Sequence, residues 1–104
     1  MNIKYPAVFL SQPMRGHTIE EIKKVREMYY EIIAKDIGSY QFKLFDNLQE
    51  HLAEGTHPLI YLGNDIRMLS EADRIYFVPG WKNARGCRVE HMIAEEYEIP
   101  IYYL

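Results

Sequence analysis

Short apolar runs separated by amphipathic stretches set the plan of this chain. Ala7-Val8-Phe9-Leu10-Ser11 is a continuous run after Pro6, the pattern of a strand buried on both faces of a parallel sheet. Gln12 to His17 then reads as a loop, with Pro13 and Gly16 as breakers. Thr18-Ile19-Glu20-Glu21 has the form of a capping box, Thr18 at the N-cap and Glu21 at N3. Behind it Ile22, Val25, Tyr29, Ile32 and Ile33 share one helical face, while Glu20, Lys23, Lys24, Glu27 and Glu31 face water. Gly38 supplies the stop.

Phe42-Lys43-Leu44-Phe45 predicts a second, short strand. From Asp46 to Pro58 the pattern loosens, and Gly55-Thr56-His57-Pro58 marks a loop, the kind of segment that often covers a site. Leu59 to Glu71 predicts a helix with Leu59, Leu62, Ile66 and Leu69 on one face and Asn64-Asp65 beside it. Asp73 is read as capping the entry to the buried strand Ile75-Tyr76-Phe77-Val78. Gly80 and Gly86 punctuate the next loop, and Val89, Met92, Ile93 and Tyr97 recur at helical spacing in the helix after it. Ile99-Pro100-Ile101-Tyr102-Tyr103 closes the chain as a strand.

This alternation predicts a three-layer α/β, Rossmann/flavodoxin-like domain with a four- to five-stranded, mainly parallel sheet and right-handed crossovers. The strands are expected near 7–11, 42–45, 74–79 and 99–103. Ligands bind such sheets at the carboxyl ends of the strands. The loops after Ser11 and Val78 should therefore be neighbours, bringing Arg15 and Glu90 to one crevice.

A chain of 104 residues makes one domain, 1–104. Its 48 % hydrophobic and 26 % charged residues fit a soluble globular protein. The net charge of −3 and the lack of a basic stripe argue against a nucleic-acid duplex as partner. The apolar runs are far too short to cross a membrane. Met-Asn-Ile-Lys-Tyr-Pro lacks the apolar core of a signal peptide. The single cysteine, Cys87, excludes an internal disulfide and fits a cytoplasmic location; it is read as a packing residue. His17, His51, His57 and His91 show no metal-ligand spacing, so neither metal nor cofactor is expected.

The chemistry is expected between Gly80 and Glu96. Glycine lets backbone approach a ligand closely, and a helix N-terminus suits negative charge. Glu90 is placed in the first helical turn, where it should remain ionised, as a carboxylate nucleophile must. The plainer reading is an ordinary partner of the helix dipole. Cleaving an N-glycosidic bond passes through an oxocarbenium-like state and calls for a carboxylate on one face and a proton donor near the leaving base. Glu90 and Asp65 are candidates for that pair, with a solvated helix position as the bland alternative for Asp65. Arg15 is able to grip a phosphate bidentately or simply to pin its loop. Trp81 serves either as a stacking surface for a base or as a lid over the core.

Phe9 to Gly16, then Asn64-Asp65, Ala72-Asp73, Pro79-Gly80-Trp81, Arg85-Gly86 and Glu90 together resemble the nucleoside 2-deoxyribosyltransferase-like superfamily. The likeness is greatest to small bacterial and phage proteins with a Pro-Met-Arg-Gly loop and a Pro-Gly-Trp motif. It runs through nearly the whole chain in the expected order. It implies Glu90 as nucleophile at the anomeric carbon, Asp65 as the aspartate assisting the departing base or holding the sugar, and Asp73 as structural. It implies a substrate-binding loop of Ser11, Gln12, Met14, Arg15 and Gly16, with Arg15 and Gly16 on a 5′-phosphate. Gly80, Trp81 and the helix start around Gly86 and Arg88 complete the implied binding set. Gln12 stands where relatives usually carry glycine, and Asn83-Ala84-Arg85 departs from the small or acidic residues that precede their nucleophile. The chain also lacks the C-terminal extension of a true transferase. The resemblance thus implies a small nucleoside or nucleotide as ligand, hydrolysis ahead of transfer, and a homodimer or higher homo-oligomer that the Tyr102-Tyr103-Leu104 end could join. The alternative is a nucleotide-binding sensor or regulator without turnover.

Overall fold

The computed structural model of the protein describes residues 5–104; Met1–Lys4, part of the segment read as lacking a leader's apolar core, lies outside them. In chain order come β1 (Ala7–Ser11), α1 (Ile19–Ile37), β2 (Lys43–Leu44), α2 (Pro58–Leu69), β3 (Arg74–Phe77), a 3₁₀ turn (Trp81–Asn83), α3 (Arg85–Glu96) and β4 (Ile101–Tyr103). The sheet has four strands in the order β2-β1-β3-β4, and every pairing is parallel. Phe9 lies beside Ile75 and Ser11 beside Phe77, so the carboxyl ends of β1 and β3 reach the same edge. Pairing outlasts the strands by one bond: Val78 N–H donates to the Ser11 carbonyl at 3.0 Å, and Leu104 N–H to that of Phe77 at 3.0 Å.

Alternation along the strands divides the core into two layers. Phe9, Ile75 and Phe77 pack with Phe45, Leu69 of α2 and Ala94 of α3. Val8, Leu10, Tyr76 and Val78 pack with Ile33 of α1 on the opposite face. The fold is the expected three-layer α/β arrangement with a four-stranded sheet.

The capping box of α1 forms as read: Glu21 N–H donates to Thr18 Oγ1 at 3.2 Å, and Thr18 N–H to Glu21 Oε1 at 3.0 Å. Gly38 ends the helix at φ 84°. The expected apolar face needs one correction, since Ile32 lies exposed while Arg26 turns inward. For α2, His57 Nδ1 accepts from Leu59 N–H at 3.0 Å and Pro58 fills the first turn. Only Leu69 of its expected face is buried; Leu59 is 65 % exposed and Ile66 is also open. The far end of α2 carries the packing, through Met68 and Leu69 with Ala72 just beyond. On α3 the buried residues are Cys87, Glu90 and Ala94, whereas Met92 and Tyr97 face solvent. The helix is rolled so that a carboxylate, rather than its largest apolar side chains, points at the sheet. No helix among the described residues is long and apolar enough to cross a membrane.

Candidate functional site

Ser11, the last residue of β1, is fully buried and donates from Oγ to Glu90 Oε1 at 2.7 Å. Asp65 reaches the same point from α2, and its carboxyl hydrogen-bonds that of Glu90. Three elements thus converge at the carboxyl edge of the sheet, and Glu90 is only 5 % exposed.

Two expectations about Glu90 change. The 3₁₀ turn at Trp81–Asn83 and the extended backbone of Ala84 (φ −111°, ψ 119°) delay the helix until Arg85. Glu90 therefore stands in the second turn, beyond the free N–H groups that were to stabilise its charge. Its surroundings also disfavour the charged form rather than stabilise it. Burial first, and then the adjacent Asp65, push its carboxyl well above the ordinary range, with the Ser11 bond pulling the other way. Asp65 is also pushed up by burial, against the opposing pull of its bonds to Glu90 and Gln49 and of the Arg26 charge. Two touching carboxyls in a low-dielectric site cannot both ionise, so they share one proton.

Asp65 Oδ1 is held by Gln49. Its Nε2 donates to Asp65 Oδ1 at 2.7 Å and to the Tyr61 carbonyl at 3.0 Å, while its Oε1 accepts from Asn64 Nδ2 at 2.8 Å. Beside the pair, Cys87 has its thiol pushed up to about 11, chiefly by burial and further by the negative charge of the neighbouring carboxyl pair, outweighing a bond to Ser11. It is an inert packing residue.

A family profile described as a domain of unknown function (DUF4406) matches residues 6–103. The chain belongs to the DUF4406 family. No curated protein and no solved structure matches it. The DUF4406 match takes in all four strands and all three helices, and with them every residue of the site.

The remaining candidates lie around the carboxyl pair. In this DUF4406 protein Gln12 is buried, with its amide bonded toward α1. Its Nε2 donates to the Ile22 carbonyl at 3.0 Å and its Oε1 accepts from Arg26 Nη1 at 3.5 Å, while Arg26 Nη2 donates to the Phe45 carbonyl at 3.1 Å. The side chain is thus folded against α1 and partners a buried arginine. A cleft of about 310 Å³ opens alongside, between Pro13, His17, Ile22, Val25 and Val78. His17 N–H donates to the Met14 carbonyl at 3.1 Å, closing a turn over Arg15 and Gly16. Gly16 takes φ 85°, which favours glycine. Arg15 is exposed and makes no hydrogen bond or ion pair among the described residues. Gly80 takes φ 95°, and a Cβ there would sit 3.8 Å from Pro13 Cγ, so the loops after β1 and β3 touch. Trp81 stacks on His91 at 4.1 Å and 18° and lies against Phe77 at 5.1 Å. Gly86 is exposed at a helix start without a side-chain cap, and Arg88 Nη1 donates to the Lys82 carbonyl at 3.1 Å.

Sequence reasoning missed Gln49, Asn47 and Arg26, all buried, together with the role of Asn64. Asn47 donates from Nδ2 to the Leu10 carbonyl at 3.0 Å and fastens the loop after β2 to the end of β1. The only signal for this group was the loosened pattern after Asp46: a loop with little apolar content must bury polar groups, and those need partners.

Proposed function

We propose that the protein cleaves the N-glycosidic bond of a small nucleoside or nucleoside 5′-monophosphate, with Glu90 as nucleophile and Asp65 as the acid for the leaving base. The observation that carries this reading is the carboxyl pair at the carboxyl edge of the sheet, Glu90 buried and Asp65 half-buried, each bonded to a neutral residue. Desolvating two adjacent carboxyls costs several kcal/mol, so a fold gains little stability from keeping them. Their value lies in chemistry. The resemblance to nucleoside 2-deoxyribosyltransferase-like proteins supports the same assignment and the same ligand class, and it also implies a homo-oligomer.

One proton suffices for the whole cycle. Glu90 passes its proton to Asp65 and becomes the carboxylate that attacks C1′. As the C1′–N bond breaks, the base nitrogen takes the proton from Asp65 and leaves neutral. Glu90 is then esterified and Asp65 ionised. Water attacks C1′, Asp65 accepts its proton, and Glu90 departs as carboxylate. The pair again holds one proton between two carboxyls, as at the start.

The test is release of free base, followed by chromatography, from the common nucleosides and their 5′-monophosphates. Glu90→Gln should abolish release while binding persists, and a 2-fluoro sugar analogue should leave an adduct on Glu90 in the intact mass. Full activity in Glu90→Gln would refute the covalent route. A second reading, a nucleotide-binding sensor, draws on the protonation of Glu90, which leaves the nucleophile blocked in the free protein; a wild type that binds nucleotides and releases no base would establish it.

A further inference from the structure

We propose that Gln49 is a positioning residue that fixes which carboxyl of the pair carries the shared proton. The proposal rests on the reading of Asp65 and Glu90 as the reacting pair, and its test includes a measurement independent of turnover.

Gln49 lies in the loop between β2 and α2 and is 1 % exposed. Its backbone sits at φ 55°, the left-handed region that a residue with a side chain adopts only at a cost. That conformation delivers the amide to a place where each of its polar atoms meets a partner of fixed character. The Tyr61 carbonyl can only accept, so it faces the NH₂ end at 3.0 Å. Asn64 Nδ2 can only donate, so it faces Oε1 at 2.8 Å. Turning the amide over would set oxygen against oxygen and NH₂ against NH₂. Gln49 is therefore locked with a hydrogen aimed at Asp65 Oδ1, 2.7 Å away, and it cannot accept a proton from that carboxyl.

Glu90 has a different neighbour. The Ser11 hydroxyl can donate or accept by rotating about its C–O bond, and Cys87 offers it a second partner. Ser11 thus adapts to either state of Glu90, whereas the fixed donor of Gln49 favours the ionised state of Asp65, to which its bond is the stronger. The other charged or titratable groups facing the pair are Arg26 from α1, which also favours Asp65 as carboxylate, and Cys87 from α3, which stays a thiol. The asymmetry rests the proton on Glu90 and blocks the nucleophile until a ligand arrives. It also makes Asp65, once protonated, a stronger acid toward a leaving base.

The experiment is a site-resolved ¹³C titration of the Asp65 and Glu90 carboxyls in the folded protein, with base release measured across pH. Gln49→Met keeps length and burial but removes the donor. Its Asp65 titration should move to higher pH by about one pH unit, and the acid limb of the activity profile should move with it. A merely structural role would lower the height of the profile and leave both midpoints in place. Should Gln49→Met fail to fold, Asn64→Leu serves: it releases the amide to rotate and should move the Asp65 midpoint the same way by a smaller amount. An Asp65 midpoint unchanged in the folded variants would overturn the proposal. A wild type that releases no base would instead remove the glycosidase reading, and the titration alone would then decide for or against Gln49.

Discussion

Replacing Glu90 by glutamine should change the pH dependence of stability in a way that few surface substitutions can. The ordinary carboxyl value is 4.5, and in the folded protein burial and Asp65 hold Glu90 well above it. Between those two values the folded chain binds a proton that the unfolded chain has released. Stability there falls as pH rises, by about 1.4 kcal/mol per pH unit for one group. Below pH 4.5 both states are protonated and the penalty vanishes. Asp65, also pushed up by burial, adds in the same direction. Even one pH unit inside that window is a sizeable fraction of the 5–15 kcal/mol typical of a domain. Glutamine reproduces the protonated acid: its amide can donate to Asp65, and its carbonyl can accept from Ser11 Oγ as Glu90 Oε1 does at 2.7 Å. Thermal and urea melts of both proteins from pH 5 to 8 are the assay. The wild type should lose several degrees per pH unit on the way up, at about 4–8 °C per kcal/mol. Glu90→Gln should be flatter and, at pH 7, at least as stable as the wild type. A flat wild-type profile, together with a Glu90→Gln variant weaker by more than about 1 kcal/mol at pH 7, would refute the shared-proton reasoning.

Asp65→Asn should lower kcat by about 10²–10⁴ for substrates with a poor leaving base and far less for an activated one; an equal loss for both would remove Asp65 as the acid. Arg15→Ala should weaken 5′-monophosphates by roughly tenfold or more while sparing the matching nucleosides, measured by calorimetry, because exposed Arg15 has no partner among the described residues to lose. Equal losses for both ligand types would make Arg15 a loop anchor. Thr18→Ala should cost about 1 kcal/mol in urea melts without altering ligand affinity, since Thr18 caps α1 from outside the site.

Much of the fold was legible because its signals are local. The capping box of α1 names its own partners, and Gly38 marks the left-handed stop. The continuous run at Ala7–Ser11 could be satisfied only by cover on both faces, which in an alternating chain means a parallel sheet. Helix faces were less legible. On α2 the apolar spacing from Leu59 to Leu69 is real, yet only Leu69 is buried. Periodicity says that an apolar stripe exists and not how much of its length the sheet beneath it covers. On α3 the same method favoured Met92 and Tyr97 over Glu90, because a hydrophobic count scores a carboxylate as outward-facing.

That misreading and the corrected charge of Glu90 have one cause. The sequence places Glu90 after a glycine-punctuated loop at the end of a strand, and both the loop and the strand end are where they were expected. What makes the residue unusual comes from chain far away. Asp65 on α2 disfavours its ionisation, Ser11 on β1 donates to its Oε1, and Gln49 donates to Oδ1 of Asp65. A lone glutamine in an indistinct loop carries no pattern, and its left-handed backbone has no residue signature of the kind glycine gives. A charge state is a property of neighbours, and neighbours are fixed by the fold. The residue types of the site could therefore be read from the sequence, while the contact between the two carboxyls, on which the proposed reaction depends, required the structure.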